Sequence, residues 1–251
     1  MELSTFFQQH PQGALALSGG VDSALLAWAA GRWGSGWRAY FAHTAFQPAH
    51  ELTDAQALAQ MCGLPLTVLE VDVLSDPQVA TNPARRCYFC KRALFSAIAQ
   101  AAKEDGLSLI ADGTNASDQA DDRPGMAALA ELGVRSPLRE CGLTKADVRR
   151  LSREAGLPTW DKPAYACLAT RVPTGTPLSA DQLHRVELGE AVLSDLGFWD
   201  FRLRLRNNGA LLQVTEPQLS LALEKRQEIT ERLTPLFAEV SLDLRARTPS
   251  E

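Results

Sequence analysis

The sequence lacks several features that would assign it at once to a large class of proteins. None of its apolar runs approaches the length that crosses a membrane, and its N-terminus lacks the basic-then-apolar form of a signal peptide. We therefore expect a cytoplasmic protein without membrane contacts. An excess of basic residues is also absent, because the formal net charge is −5. Broad binding of nucleic acid is therefore not expected.

Cysteine is scarce, and its spacing excludes one class of metal site. The chain has five cysteines, and only Cys87 and Cys90 form a Cys-x-x-Cys pair. Without a second pair, a four-cysteine structural zinc site is not expected. Two thiols at this spacing, at the start of a predicted helix, can bind one metal centre or exchange a disulfide. Two half-buried structural cysteines would fit the spacing equally well, so the spacing leaves both interpretations open.

A glycine-rich turn is present. It lacks the Gly-Lys-Ser/Thr ending of a Walker P-loop and the Gly-x-Gly-x-x-Gly spacing of a Rossmann turn. The segment Ser18–Ser23, with the sequence Ser-Gly-Gly-Val-Asp-Ser, follows the apolar run 14–17 and precedes an amphipathic run that Gly31 closes. This pattern predicts a strand, a tight turn and a helix. Glycines let the backbone approach a ligand closely, and a helix N-terminus attracts anions. The turn is therefore predicted to hold a phosphate.

The rest of the chain alternates apolar strands with amphipathic helices, which predicts an α/β fold with a doubly wound parallel sheet. The predicted strands are 14–17, 37–42, 66–71, 107–111 and 134–138. Beyond residue 177 the pattern changes to a helix (181–196), two strands (201–206 and 210–214) around Asn207-Asn208-Gly209, a helix (218–237) and a strand (240–244). This predicts a small C-terminal α+β domain. We expect a first domain at 1–165 and a second at 166–251, and we expect the small second domain to self-associate into a homo-oligomer.

Polar residues follow several predicted strands, where open parallel sheets bind their ligands. The turn Asp112-Gly113-Thr114-Asn115 ends the fourth strand and is expected to face the glycine-rich turn. His43 ends the second strand, where a lone histidine is more often structural than catalytic. The acidic residues Asp118, Asp121 and Asp122 are best explained as a solvated loop.

A proline-rich stretch from 160 to 177 breaks the periodic pattern and predicts an ordered loop. It carries Cys167, Thr170 and Arg171 within five residues, which is typical of an active-site segment. Arg171 has the planar fork that suits a phosphate. On the strand that follows, Arg202, Arg204 and Arg206 share one face. A solvated face and a face that binds an anion or a partner subunit are equally good explanations of these three.

Several of these motifs together resemble one family. The glycine-rich turn resembles the pyrophosphate-binding loop of the PP-loop ATP pyrophosphatases. The wider set resembles the LarE-type ATP-dependent sulfur transferases over nearly the whole chain. It comprises Ser18–Ser23, Arg86–Lys91, Asp112–Asn115, Arg123–Gly125, Arg135–Leu138 and Asp161–Pro163 with Cys167–Arg171.

The resemblance implies an enzyme that adenylates a carboxylate of pyridinium-3,5-biscarboxylic acid mononucleotide with ATP and Mg²⁺. Sulfur then replaces AMP to give a thiocarboxylate, in the biosynthesis of the nickel-pincer cofactor of lactate racemase. It implies catalytic roles for Asp22, Cys167 and Arg171. The expected nucleotide-binding residues are Ser18, Gly19, Gly20, Val21, Asp22, Ser23, Gly113, Thr114, Thr170 and Arg171. The expected substrate-binding residues are Glu190, Arg202, Arg204 and Arg206.

Two sulfur sources are known in this family. Cys87, Cys90 and Cys167 match its three-cysteine pattern, in which an iron–sulfur cluster, expected as 4Fe–4S, keeps one iron open for sulfide from an external donor. The alternative is sacrificial transfer from Cys167 itself, with the other two cysteines structural. Competing functions are a PP-loop amidating ligase, a tRNA thiolase and a nucleotide-binding module without catalysis. The thiolase would need a basic RNA-binding surface, which the sequence lacks.

Overall fold

The computed structural model describes residues 1–118, 124–207 and 209–248. Its helices are α1 (Leu3–Gln9), α2 (Val21–Trp33), α3 (Ala49–Met61), α4 (Pro77–Ala80), α5 (Arg86–Glu104), α6 (Pro124–Glu131), α7 (Pro137–Glu140), α8 (Lys145–Glu154), α9 (Ala180–Asp195), α10 (Leu219–Glu224) and α11 (Arg226–Leu233). Its strands are β1 (Gln12–Ala16), β2 (Gly36–His43), β3 (Leu66–Glu70), β4 (Ile110–Ala111), β5 (Arg202–Arg206), β6 (Gly209–Gln213) and β7 (Val240–Leu242). Short 3-10 helices cover Val73–Ser75, Leu168–Arg171 and Glu216–Gln218. No described helix has both the length and the apolar character needed to span a membrane.

The chain forms two compact bodies. The first consists of the described residues of Met1–Thr44, Ala49–Val73 and Arg85–Lys162. The second consists of Ala45–Pro48, Leu74–Ala84 and the described residues from Pro163 onward. The prediction of two domains, 1–165 and 166–251, concerns independently folding units and stays a prediction.

The first body is built on a parallel sheet with the strand order β3-β2-β1-β4. Side chains of β2 alternate between two apolar cores: Trp37 and Phe41 enter the core that contains α2, whereas Tyr40 enters the core that contains α5. This alternation follows from the two-residue period of a strand and requires helices on both faces of the sheet. The predicted α/β class with a parallel sheet covered on both faces is therefore confirmed.

The second body contains a three-stranded sheet with the order β5-β6-β7. Strand β5 pairs antiparallel with β6, and β6 pairs parallel with β7. Helix α9 begins at a capping box in which Ser179 and Gln182 satisfy each other's backbone N–H groups. It packs on this sheet at Gly189, where an added Cβ would lie 2.5 Å from Leu203 and 2.9 Å from Phe237. The predicted small α+β unit is therefore present.

Two elements differ from the sequence prediction. The predicted fifth strand, 134–138, is wrong, since Arg135 makes only one isolated bridge to Ala111 before Pro137 starts α7. Proline suits the first turn of a helix and cannot donate a backbone hydrogen bond to a sheet.

The predicted helix 218–237 is also wrong. It is two short helices, α10 and α11, separated at Lys225, whose backbone (φ −85°, ψ 6°) leaves the helical region. Four residues of the predicted motifs, Asp121, Asp122, Arg123 and Asn208, lie outside the described residues.

Gly31 offers a test of how α2 packs. In most exposed helix positions Gly→Ala stabilises a protein by about 1 kcal/mol. Here an added Cβ would lie 2.1 Å from the carbonyl oxygen of Cys62, which is backbone and cannot turn aside. We expect Gly31→Ala to lower the free energy of unfolding by roughly 1–3 kcal/mol, the usual cost of overpacking. Urea denaturation measures this change, and a stabilised variant would contradict the packing described here.

Candidate functional site

The glycine-rich turn joins β1 to α2 in the first body. Gly19 adopts a left-handed backbone (φ +74°), and Gly20 caps α2 without a side-chain hydrogen bond. Ser23 Oγ donates to the carbonyl oxygen of Gly20 (3.1 Å) and lies 3.1 Å from Ser18 Oγ, which closes the turn. Among the described residues, no acceptor pairs with the backbone N–H of Gly20, Val21 or Asp22. These N–H groups and the positive end of the helix form a site suited to an anion.

Asp22 joins this turn to two other segments of the first body. Its Oδ1 accepts a hydrogen bond from Asn115 Nδ2 (2.9 Å), and its Oδ2 accepts one from Lys145 Nζ (2.6 Å). Gly113 packs so closely that an added Cβ would lie 2.9 Å from the Ser23 nitrogen. The turn after β4 therefore faces the glycine-rich turn, as expected from the sequence. Lys145 had no predicted role in this site.

The turn after β4 is held by a buried carboxylate. Asp112 accepts hydrogen bonds from Thr114 Oγ1 (2.5 Å) and from Ser136 Oγ (2.7 Å). Because the carboxylate has these partners, its burial is tolerated. The Thr114 hydroxyl is therefore engaged by Asp112, and its predicted contact with the nucleotide stays a prediction.

A second group of charges lies behind the turn, on the side of α3. Lys162 Nζ donates to the carbonyl oxygen of Gly19 (3.2 Å) and to Asp54 Oδ2 (2.7 Å). Glu51 lies on the same helix. Burial raises its pKa to about 7, against the opposing effect of Lys162 and with a further rise from Asp54. The anion site therefore has a lysine and two acids behind its backbone, of which the sequence motifs contain only the lysine.

The loop that carries Cys167 lies in the second body and is fixed through its backbone. The carbonyl oxygen of Cys167 accepts hydrogen bonds from the backbone N–H and the hydroxyl of Thr170 (2.9 and 2.8 Å). Three arginines donate to other carbonyl oxygens of this loop: Arg202 to Ala164 (2.8 Å), Arg171 to Ala166 (3.1 Å) and Arg204 to Thr170 (2.7 Å). A loop with this many backbone acceptors engaged has little conformational freedom to lose when a ligand binds.

Arg171 and Glu190 form the centre of this arrangement. The Arg171 side chain is wholly buried, and its Nε donates to Glu190 Oε1 at 2.7 Å. Glu190 also accepts from the Tyr165 hydroxyl (2.6 Å) and from the Leu203 backbone N–H (3.1 Å). Burial lowers the pKa of Arg202 to about 10, and the charge of Arg171 adds to this effect. These contacts give Arg171 and Glu190 a structural task in the loop, while their predicted phosphate and substrate contacts stay predictions.

Comparison with known proteins adds an independent line of evidence. No family model matches the chain. The pyridinium-3,5-bisthiocarboxylic acid mononucleotide synthase of Lactiplantibacillus plantarum is 33% identical over 92% of this chain and 84% of its own length. The chain belongs to the LarE family of ATP-dependent sulfur transferases. The predicted family and the prediction of an enzyme are thereby confirmed.

Two uncharacterised proteins from distant organisms are also similar to this chain. One, from Synechocystis sp., is 38% identical over 86% of this chain and 81% of its own length. The other, from Methanocaldococcus jannaschii, is 27% identical over 92% of this chain and 88% of its own length. The alignments cover 86–92% of this chain, so the similarity extends into both bodies described above.

None of the five cysteines of this LarE-type chain is in a disulfide. Cys87 and Cys90 lie among the first five residues of α5 in the first body, and Cys167 lies in the second body. Burial raises the pKa of Cys62 to about 11 and also raises that of Cys141. Among the residues that the structure describes, no group of three or more His, Cys, Asp or Glu side chains is arranged to hold a metal ion. The predicted cluster at Cys87, Cys90 and Cys167 is thus not shown and stays a prediction.

The remaining predicted residues are placed as follows. Arg206 is exposed at the end of β5. His43 Nδ1 lies 2.9 Å from Glu70 Oε2 at the end of β2, and the role of His43 stays a prediction. Tyr165, Glu51 and Asp54 were missed, because single acids and aromatic residues give no signal without a motif around them.

The buried pair of Arg171 and Glu190 predicts a large effect on stability. Arg171→Met leaves the Glu190 carboxylate buried without its charge partner, so we expect the free energy of unfolding to fall by about 3–5 kcal/mol. The control is Arg232→Met, since Arg232 pairs with Asp195 at the surface (3.0 Å) and such pairs contribute at most about 1 kcal/mol. Equal losses in the two variants, measured by urea denaturation, would contradict the role assigned to the buried pair.

Proposed function

We propose that this LarE-type sulfur transferase adenylates a carboxylate of pyridinium-3,5-biscarboxylic acid mononucleotide and converts it to a thiocarboxylate. The product is the class of compound after which the Lactiplantibacillus plantarum relative is named. The enzyme would serve the biosynthesis of the nickel-pincer cofactor of lactate racemase. The observation that carries the proposal is the anion site at the start of α2. Beside that site, Asp22 accepts hydrogen bonds from Asn115 and Lys145.

The chemistry follows from the weakness of a carboxylate as an electrophile. A carboxylate oxygen attacks the α-phosphorus of ATP, a C–O–P linkage forms, and the bond to the β-phosphate oxygen breaks with release of pyrophosphate. Sulfur then attacks the activated carbonyl carbon, a C–S bond forms, and the C–O bond to AMP breaks. The N–H groups of Gly20, Val21 and Asp22 would hold the negative charge of the departing pyrophosphate. ATP would enter as its Mg²⁺ complex.

The cysteines suggest how sulfur is supplied. We propose that Cys87, Cys90 and Cys167 hold an iron–sulfur cluster, which when bound would offer an exchangeable sulfide on an iron without a protein ligand. The donor set fits such a group, since none of the three cysteines is in a disulfide and none is fully buried. The Arg86 guanidinium also donates a hydrogen bond to Cys87 Sγ (3.5 Å).

The second body would supply the substrate contacts. The positive charge of its arginines would attract the phosphate of a mononucleotide. Of these arginines, Arg204 and Arg206 are exposed on β5. Glu190 and Arg202 would shape the same region from its buried side. The homo-oligomer and the cytoplasmic location expected from the sequence stay predictions.

The first test concerns which bond of ATP breaks. With the mononucleotide and sulfide present, we expect AMP and pyrophosphate in equal amounts, and exchange of labelled pyrophosphate into ATP that depends on the mononucleotide. Asp22→Ala removes the acceptor of both Asn115 and Lys145 and should slow this exchange by about 100-fold, as loss of a preorganised polar group does. Formation of ADP and phosphate, or normal exchange in Asp22→Ala, would contradict the assignment.

The second test concerns the sulfur source. Anaerobically reconstituted protein should bind iron and acid-labile sulfide and should turn over repeatedly when sulfide is supplied. Cys87→Ala, Cys90→Ala and Cys167→Ala should each lose both properties, since two thiolates hold a cluster poorly. Cys62→Ala is the control, because the raised pKa of that thiol favours the protonated form that does not bind metal.

The contrary result of this experiment is equally specific. A single turnover by iron-free protein, with Cys167 left lighter by the mass of hydrogen sulfide, would identify Cys167 as the sacrificial donor. Full activity of Cys87→Ala under those conditions would assign Cys87 and Cys90 a structural role only.

A further inference from the structure

Lys162 contacts the glycine-rich turn through the carbonyl oxygen of Gly19, on the side of α3. Its ammonium group lies 3.2 Å from the carbonyl oxygen of Gly19, within the turn itself, and is held there by Asp54 at 2.7 Å. All three residues belong to the first body. The lysine follows α8 by several residues, whereas Asp54 lies on α3. Two distant segments of the chain therefore converge on one peptide group of the turn.

The orientation of that peptide group sets the direction of the Gly20 N–H, which is the first hydrogen-bond donor of the turn. In a trans peptide the carbonyl oxygen of Gly19 and the N–H of Gly20 point in opposite directions. When Lys162 holds the oxygen on the α3 side, the Gly20 N–H is directed away from α3. This is the N–H for which no acceptor is found among the described residues. A positive charge on the carbonyl also polarises the peptide and makes its N–H a stronger donor.

The neighbours of Gly19 make this orientation dependent on the lysine. Its φ of +74° lies in a region that glycine enters and leaves at little cost. On the α3 side, a Cβ added at Gly19 would lie 3.4 Å from the carbonyl oxygen of Glu51. Because glycine has no side chain to hold its backbone in one conformation, the orientation of the peptide depends on the hydrogen bonds that the peptide makes. Lys162 Nζ donates such a bond to the Gly19 carbonyl oxygen at 3.2 Å.

We propose that Lys162 is a positioning residue, which fixes the Gly19–Gly20 peptide so that its N–H faces the pyrophosphate site. Asp54 holds the lysine in place and balances its charge. The inference rests on the proposed function, in which this turn holds the pyrophosphate released from ATP. Lys162 acts on the anion through the peptide and makes no contact with the anion itself.

The test uses inorganic pyrophosphate with Mg²⁺ as the probe and calorimetry as the measurement. Lys162→Met should weaken binding by about tenfold or more, because the turn loses a charge-assisted hydrogen bond that orients a donor. The matched control is Lys103→Met, which removes the same charge from the exposed end of α5 in the same body and should change binding less than twofold. Equal weakening in both variants would overturn the proposal, since it would reduce the effect of Lys162 to net charge.

A spectroscopic measurement separates positioning from direct contact. In ¹⁵N-labelled protein without ligand, the Gly20 amide resonance should shift in Lys162→Met and stay in place in Lys103→Met. A fall in pyrophosphate affinity with an unshifted Gly20 amide would mean that the lysine contacts the anion, and would overturn the positioning role. If Lys162→Met does not fold, Lys162→Gln replaces it, because its shorter neutral side chain cannot serve both Gly19 and Asp54.

The same data keep this proposal apart from the proposed function. Wild-type protein that binds no pyrophosphate would contradict the assignment of the turn. Wild-type binding that Lys162→Met leaves within twofold would contradict the lysine proposal alone.

Discussion

Backbone N–H groups at the start of a helix have no partner within that helix, and in α2 the sequence leaves them open. A side chain such as Ser or Asp at the capping position would occupy them, but the residue there is Gly20. The parallel sheet then brings the end of β4 beside the end of β1, because β4 pairs directly with β1. Gly113 permits this approach, and Asn115 reaches Asp22 as a result. The open N–H groups, their surrounding polar residues and the order of the strands are thus parts of one arrangement.

Much of this arrangement could be predicted from the sequence, because it depends on local patterns. The turn at Ser18–Ser23 and the expected meeting of the turns after β1 and β4 follow from short motifs and strand order. The α1 helix was missed, although Leu3, Phe6 and Phe7 have helical spacing and are buried. Its seven residues are too few for a periodic pattern to be distinctive.

What could not be predicted depends on contacts between residues far apart in the chain. Lys162 lies 143 positions from Gly19, and no periodicity relates the two. The same holds for Arg171, whose fork suggested a phosphate ligand, whereas burial beside Glu190 engages it inside the second body. The sequence indicates which side chains can bind an anion. The tertiary structure decides which of them instead support the backbone that does so.

The central claim is that the anion site serves adenylation of a carboxylate. The most direct measurement uses mononucleotide labelled with ¹⁸O in its carboxylates and follows the label by ³¹P NMR. Attack of the carboxylate on the α-phosphorus, followed by cleavage of the C–O bond by sulfur, transfers one ¹⁸O atom to AMP. AMP that carries one ¹⁸O per thiocarboxylate formed is the predicted result. Unlabelled AMP, or label found in free phosphate, would contradict the account.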